Sequence, residues 1–379
     1  MVKKIFIVAG EESGDQHGSA LLQKVLALNP SLEISGLGGK HLTAMGMHNI
    51  LDLTKLAITG LSGVLSNIFA IRRAFKVTKA YLLSNPPDMV ILVDYPGFNL
   101  RLAKWIKKNL GCTIIYYISP QIWAWKAQRI EVIKACIDHM AVILHFETAI
   151  YEHANVPVTY VGHPLRQQIL SIPNMLSCRQ QFNWSKNDLI LAILPGSRRG
   201  EISRHMPVII AAIKLLSQKH PNLKIVIPVA KSLKMADFTQ FLTDISVPYE
   251  LVDGQSQHVV QAADAVIVAS GTASLECALL AKPTCIIYKS SWLNYYLAMK
   301  LMKVNYLGLS NLLQKKMIIP ELLQTDCNAK ELSIMVDALL TDSPWRNSMI
   351  KNLQQLQHLL LPASGTPLEE TIINFLYYY

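Results

Sequence analysis

Short aliphatic runs alternate with longer amphipathic segments along almost the whole chain. Residues 3–9 read as a buried strand, and the GEESGDQHG that follows turns into a helix whose Leu21, Leu22, Val25 and Leu26 share one face. A second short strand is expected at 33–37. Residues 89–93 form an unbroken aliphatic run, followed by a helix with Phe98, Leu102, Trp105 and Ile106 on one side and Lys104, Lys107 and Lys108 away from it. Strands at 113–118, 140–144 and 158–161 complete this half. After Gly162-His163-Pro164 the rhythm restarts, with strands at 189–194, 224–229, 249–252, 265–269 and 284–288. Strands this apolar, separated by amphipathic helices, belong to doubly wound parallel sheets. The expected fold class is α/β, with two Rossmann-like domains, 1–166 and 167–344, facing across a cleft. The helical residues 345–379 are expected to return to the first domain. Ligands of such sheets sit beyond the carboxyl ends of the strands. That gathers the loops at 10–15, 94–99, 119–125, 195–201 and 270–276.

Composition narrows the partners. The chain has 379 residues, a formal charge of +10 and a pI near 9.2, which favours an anionic partner: nucleic acid, a phosphorylated substrate or an acidic lipid surface. The basic residues are dispersed, and no recognised nucleic-acid motif accompanies them. Hydrophobic residues make up 51%, charged ones 16%, and the mean hydropathy is +0.26. No apolar run reaches the ~18 residues of a spanning helix. The nearest, 57–71, is broken by glycines, serines and Asn67. With no signal-like start either, a cytoplasmic chain is expected. The six cysteines show no C-x-x-C pair and no zinc-ligand spacing, so they read as reduced packing residues.

Strand-end loops carry the candidate chemistry. In ILPGSRRGE (193–201), Pro195 and Gly196 break a strand and Ser197 can cap the next helix. Freed backbone N–H groups beside Arg198 and Arg199 suit a phosphate group, with one of the two arginines gripping it; a basic turn facing solvent is the alternative. Asp94 ends a buried strand before Pro96-Gly97, as a general base or as a helix cap. Ser270-Gly271-Thr272 offers further amides, and Glu276, one turn on, could accept ribose hydroxyls. Gly10 to Asp15 resembles an anion turn, but its carboxylates suit a hydroxyl-rich or amine-bearing ligand better. His17 and His163 read as acid, base, phosphate contact or structural histidines. Trp123 and Trp125 read as packing residues. No D-x-D, no G-x-x-x-x-G-K-[ST] and no complete G-x-G-x-x-G follows a strand. The cues for a metal-clamped diphosphate, an ATPase and a dinucleotide enzyme are therefore missing. The helix expected at 65–83, with Arg72, Arg73, Lys76 and Lys79, is either a core helix with a basic outer face or a surface helix on anionic lipid. Residues 292–302 offer a second such stretch.

Taken together, GEESGD (10–15), VDYPGFN (93–99), SPQIWAW (119–125), VGHP (161–164), LPGSR (194–198), SGTASLE (270–276) and SNLL (310–313) resemble, in this order, the lipid-A-disaccharide synthase family. These are inverting GT-B glycosyltransferases of Gram-negative outer-membrane biosynthesis. Glu12, His145 and Gln314-Lys315-Lys316 depart from the family pattern. The resemblance implies transfer of 2,3-diacylglucosamine from UDP to the 6-hydroxyl of 2,3-diacylglucosamine 1-phosphate (lipid X), giving a β-1,6-linked disaccharide 1-phosphate and UDP. It makes Asp94 the catalytic base and places Ser197, Arg198, Glu276 and Asn311 at UDP. Glu201, Ser270, Gly271 and Thr272 join that nucleotide-sugar group. Glu11, Ser13, Gly14, Asp15, Ser119 and His163 form the expected acceptor side. No metal, cofactor or nucleic acid is implied. A homodimer exchanging C-terminal segments, attached peripherally to the inner face of the inner membrane, is. An enzyme like UDP-N-acetylglucosamine 2-epimerase and a basic nucleotide-sugar- or RNA-binding protein are the rival readings.

Overall fold

The aliphatic runs become strands because alternate residues find an apolar layer on either side. In β1 (Lys4–Ala9) Phe6 and Val8 enter one core cluster, and Ile5, Ile7 and Ala9 enter another. In β4 (Met89–Val93) Val90 and Leu92 divide in the same way from Met89, Ile91 and Val93. The computed structural model describes residues 2–58, 64–243, 245–291, 295, 305–360 and 367–377. They form two units, Met1–Pro164 with Pro362–Tyr379, and Leu165–Leu361.

In the first unit β1 and β4 are joined by β2 (Glu33–Gly38), β3 (His48–Asp52), β5 (Thr113–Tyr117), β6 (His139–Val142) and β7 (Val158–Tyr160). The sheet order is β3-β2-β1-β4-β5-β6-β7, parallel throughout. The second unit holds β8 (Leu189–Leu194), β9 (Leu223–Val229), β10 (Tyr249–Asp253), β11 (Ala265–Ala269), β12 (Thr284–Tyr288) and β13 (Glu321–Leu323). Their order is β10-β9-β8-β11-β12-β13, again all parallel. Strand order reverses between β1 and β4 in one sheet and between β8 and β11 in the other. Those reversals are where doubly wound sheets open a crevice for ligands.

Two edge strands had no forecast. β3, HNILD, is half-polar, and β13 is three residues long; neither carries the aliphatic run that marks a central strand. The C-terminal boundary also moves. The helix Pro344–Leu359, expected with the first domain, packs in the second unit, where Met349, Leu353 and Leu356 are buried and Gln357 Nε2 donates to the Leu279 carbonyl at 2.6 Å. Only the last helix, Leu368–Tyr377, belongs to the first unit. It lies against the helix Glu12–Leu28 and sends Leu368, Ile372 and Leu376 into the core.

No helix among the described residues is long and apolar enough to cross a membrane. Residues 59–63 of the uncharged run and, apart from Tyr295, the stretch 292–302 lie outside the described residues.

Candidate functional site

At the first reversal the loops after β1 and β4 interlock. A Cβ on Gly10 would stand 2.1 Å from Cδ1 of Tyr95, so only glycine lets the tyrosine ring lie across that loop. Asp94 and Tyr95 both adopt left-handed backbone, with φ of 45° and 48°, and Ile118 at the end of β5 does so at 66°. Three non-glycine residues in this region, one of them β-branched, mark strain concentrated at strand ends. Specific bonds hold it. The Asp94 amide donates to the Tyr117 carbonyl at 2.9 Å, and the Asp94 carbonyl accepts from Asn99 Nδ2 at 2.7 Å and Tyr116 Oη at 2.5 Å. All the backbone bonding of Asp94 is thereby internal; its carboxylate accepts from the Tyr95 amide, and Tyr95, which precedes the helix Pro96–Asn109, gives it no side-chain cap. Burial, reinforced by the charge of Glu11, pushes the Asp94 carboxyl up to about 6.

The other acceptor-side residues divide. Glu11 and Ser13 are exposed at the start of the helix Glu12–Leu28, and Gly14 is buried beneath them against β4. Asp15 is fully buried and serves the fold. Its oxygens accept from the amides of Gly39 (2.7 Å), His41 (2.8 Å) and Leu42 (3.3 Å), fixing the start of the helix Lys40–Ala44. That is a correction to its expected place on the substrate, since a carboxylate holding three amides inside the core is a cap. Ser119 is buried too, its hydroxyl 2.6 Å from Tyr151 Oη. The unusual Glu12 faces Lys40 and His41 at 3.2 and 3.3 Å. Burial, aided by His17, drives the His163 imidazole down to about 4, so it is neutral near pH 7.

The second reversal puts the loops after β8 and β11 side by side, because Leu194 and Val268 are register partners. The turn after β8 is anchored by its own carboxylate. Glu201 Oε2 accepts from the amides of Ser197 (2.9 Å) and Arg198 (3.3 Å), and Oε1 lies 3.5 Å from the Arg198 guanidinium. A Cβ on Gly196, which has φ +127°, would meet that carboxylate at 2.4 Å. The amides of Ser197 and Arg198 are therefore occupied, and Glu201 is an internal cap of the helix Arg199–Lys219. Arg199 pairs with Asp237 at 3.1 Å and Arg198 with Glu201 at 3.5 Å, and the two side chains are equally exposed, 75% and 76%.

Open amides lie in the neighbouring loop. The helix Thr272–Leu279 begins at Gly271 with no side-chain cap, and Gly271 and Thr272 are exposed, with Ser270 partly so. One turn on, burial raises the Glu276 carboxyl to about 7, opposed by a bond from Gln257. Asn311, expected at the nucleotide, is fully buried and saturated. Oδ1 accepts from the amides of Ile318 (2.8 Å) and Ile319 (2.9 Å), while Nδ2 donates to the Ile319 carbonyl (2.8 Å) and Glu321 Oε1 (2.7 Å). It shapes the segment around Gln314-Lys315-Lys316 and has no bond left for a ligand.

Three residues have no sequence signal. Glu321, on the edge strand β13, accepts from the amides of Leu307 and Gly308 as well as from Asn311. His205 accepts the Lys289 amide at Nε2 (3.0 Å), so its Nδ1 carries the proton and donates to the Pro195 carbonyl (2.7 Å). This neutral imidazole, its basicity lowered chiefly by burial, ties the turn after β8 to the chain after β12. Glu147 is 1% exposed in the helix His145–His153. Each partner is distant in sequence or buried.

Two Rossmann-like units, with loops of this kind at their strand reversals, have the architecture of GT-B glycosyltransferases. The calicheamicin glycosyltransferase CalG4 superimposes with a TM-score of 0.62 at 13% identity, over 100% of this chain and 99% of that one. The UDP-GlcNAc 2-epimerase from Neisseria meningitidis bound to UDP-GlcNAc gives 0.62 at 12% identity, over 100% of both chains. At such identities what is shared is the fold. Sequence is more specific. The family model described as Lipid-A-disaccharide synthetase matches residues 5–362. Lipid-A-disaccharide synthase 1 of Legionella pneumophila subsp. pneumophila is 51% identical over 357 residues, 94% of this chain and 93% of the relative. The chain belongs to the lipid-A-disaccharide synthase family, glycosyltransferases of lipid A biosynthesis.

The turn after β8 generates a direct test. Gly196→Ala forces a side chain against Glu201 in a backbone region that disfavours it, at a cost of about 1–3 kcal/mol. The melting temperature is expected to fall by about 2–10 °C. An unchanged melting curve would show that Glu201 does not anchor the turn.

Proposed function

We propose that the chain condenses UDP-2,3-diacylglucosamine with lipid X by direct displacement. Asp94 takes the proton of the acceptor 6-hydroxyl, O6 bonds to the anomeric carbon, and the bond from that carbon to the UDP oxygen breaks. Inversion gives the β-linkage and free UDP. The observation that carries this reading is Asp94. It is a partly buried carboxylate on strained backbone at a strand reversal, with basicity raised into the range a general base needs. Negative charge developing on UDP is met in the second unit by the Arg198 guanidinium and the amides at 271–273. Glu276 is suited to the ribose hydroxyls. On the acceptor side Glu11, Ser13 and Gly14 border the base, and Ser119 and His163 line the same strand ends.

A groove in the first unit supports a lipid-bearing substrate and an anionic inner-membrane surface as partners. It measures about 630 Å³ and lies along the helices Val64–Ser84 and Pro96–Asn109, the latter beginning two residues beyond Asp94. Ile71, Phe75, Phe98 and Trp105 supply apolar lining. Arg72, Lys76 and Lys79 from one helix and Arg101, Lys104 and Lys108 from the other supply charge. Among the described residues none of these six pairs with a carboxylate. Cations without counterions around apolar side chains suit lipid phosphate, and this favours the second sequence reading of residues 65–83. Peripheral attachment at the cytoplasmic face is part of the proposal. So is a homodimer, in which two copies exchange the helix Leu368–Tyr377 while keeping the Ile372 and Leu376 contacts it makes within one chain.

The substrates mixed with the protein should yield disaccharide 1-phosphate and UDP by mass spectrometry. Asp94→Asn is expected to lower kcat by about 10³-fold or more while UDP still binds; lost UDP binding would indicate a structural role. Because Asp94 must be ionised to accept the proton, kcat/KM should fall as pH drops through about 6. For the surface, Arg72→Glu with Lys76→Glu should weaken partition onto phosphatidylglycerol vesicles by at least about tenfold, given ~1 kcal/mol per basic residue. Equal binding by wild type and variant would remove the groove from the membrane face.

A further inference from the structure

The groups that hold Asp94 lead to a second acid. Tyr116, whose hydroxyl bonds to the Asp94 carbonyl, lies on β5, and the chain leaves β5 through the loop 119–125. Two side-chain bonds fasten this loop to the helix His145–His153. Ser119 Oγ meets Tyr151 Oη at 2.6 Å, and Trp123 Nε1 donates to Glu147 Oε1 at 3.0 Å. The Trp123 ring also stands edge-on to Phe146, with centroids 5.1 Å apart. Glu147 and Tyr151 are four residues apart, on one helix face. The second carboxyl oxygen of Glu147, Oε2, is buried with no hydrogen-bond partner. An ionised carboxylate so placed would be poorly compensated; a neutral acid is tolerated.

We propose that Glu147 is a positioning residue for the transfer: as a neutral, protonated acid it clamps the loop 119–125 through Trp123 and fixes the wall of the site next to Asp94. This rests on Asp94 being the base. The charge facing Glu147 is that of Asp94, from the turn after β4. From the loop after β5 it meets Trp123 and Ser119, and from its own helix Tyr151. The nearby cation of this network, Arg129, acts on Tyr116. Burial raises the Glu147 acid to about 7, with the bond from Trp123 and the nearby Leu144 amide and Ser119 hydroxyl opposing the shift and Asp94 adding to it. With Asp94 raised to about 6 and Glu147 to about 7, the two acids near neutrality hold one charge and one proton between them. Above neutrality the second charge can be accommodated only by admitting water, and the loop is released.

The test is a pH series from about 5 to about 9 on Glu147→Ala, Glu147→Gln and Asp94→Asn. Wild type should show an acid limb near 6 and an alkaline limb near 7. Glu147→Ala should lower kcat by about 10- to 100-fold with little change in the KM for the nucleotide sugar. Glu147→Gln, which still offers Trp123 an acceptor and never ionises, should restore most of kcat and abolish the alkaline limb. Persistence of that limb in Glu147→Gln, or wild-type kcat in Glu147→Ala, would overturn the proposal. Thermal stability gives a readout independent of activity. An acid raised in the folded state makes stability fall as pH rises from its unfolded value near 4.5 toward about 7, so Glu147→Gln should gain on wild type across that window. No relative gain would also overturn it. Activity retained by Asp94→Asn would instead sink the assignment of the base, leaving the stability comparison to judge Glu147.

Discussion

A parallel sheet wound in both directions from its centre must leave two neighbouring strands whose following helices depart to opposite faces. The gap above those strands is the one place where backbone, side chain and ligand can meet without displacing a helix. Asp94 and Arg198 are positioned by that constraint. Asp94 leaves β4 beside the loop from β1, and Arg198 leaves β8 beside the loop from β11. The two sheets apply it to different chemistry. The first unit crowds its gap with an aromatic ring, left-handed residues and acids. The second fills one loop with its own carboxylate and leaves the other open.

Burial then sets what the acids do. Asp15, Glu201 and Glu321 are surrounded by amide donors and act as internal caps. Asp94, Glu147 and Glu276 are buried with fewer donors, and their proton affinities rise to about 6, 7 and 7. The same side-chain chemistry is structural or reactive according to how many N–H groups reach it. The contrast also separates two loops that look alike as strings: LPGSR carries a cap of its own within four residues, and SGTAS does not.

The central strands and the loops that end them were legible because a strand buried on both faces must be aliphatic and must stop abruptly at Gly, Pro or Asp. The edge strands were not, since β3 and β13 have little apolar surface to hide. Among site residues, position singled out Asp94 as a base or a cap and left Arg198 and Arg199 open, and the family resemblance chose between them. Asp15, Glu201 and Asn311 could not be assigned correctly, because the deciding fact is which amides lie within 3 Å or so, and those belong to residues 3 to 27 positions away. Glu147 was invisible for a related reason: its partner is the indole of Trp123, itself read as a packing residue. The groove cations were visible as a charge pattern, but only pairing two helices separated in sequence collects them into one place.

The last helix carries a consequence for how the molecule is made. Leu368, Ile372 and Leu376 complete a core cluster that begins with Ile5, Ile7 and Ala9. Everything between Leu165 and Leu361 belongs to the other unit. During synthesis the second unit can therefore emerge whole and close its core while the first still lacks its final layer. Order of translation and order of completion are inverted: the core around the amino-terminal sheet is finished by residues that follow the whole second unit in the chain.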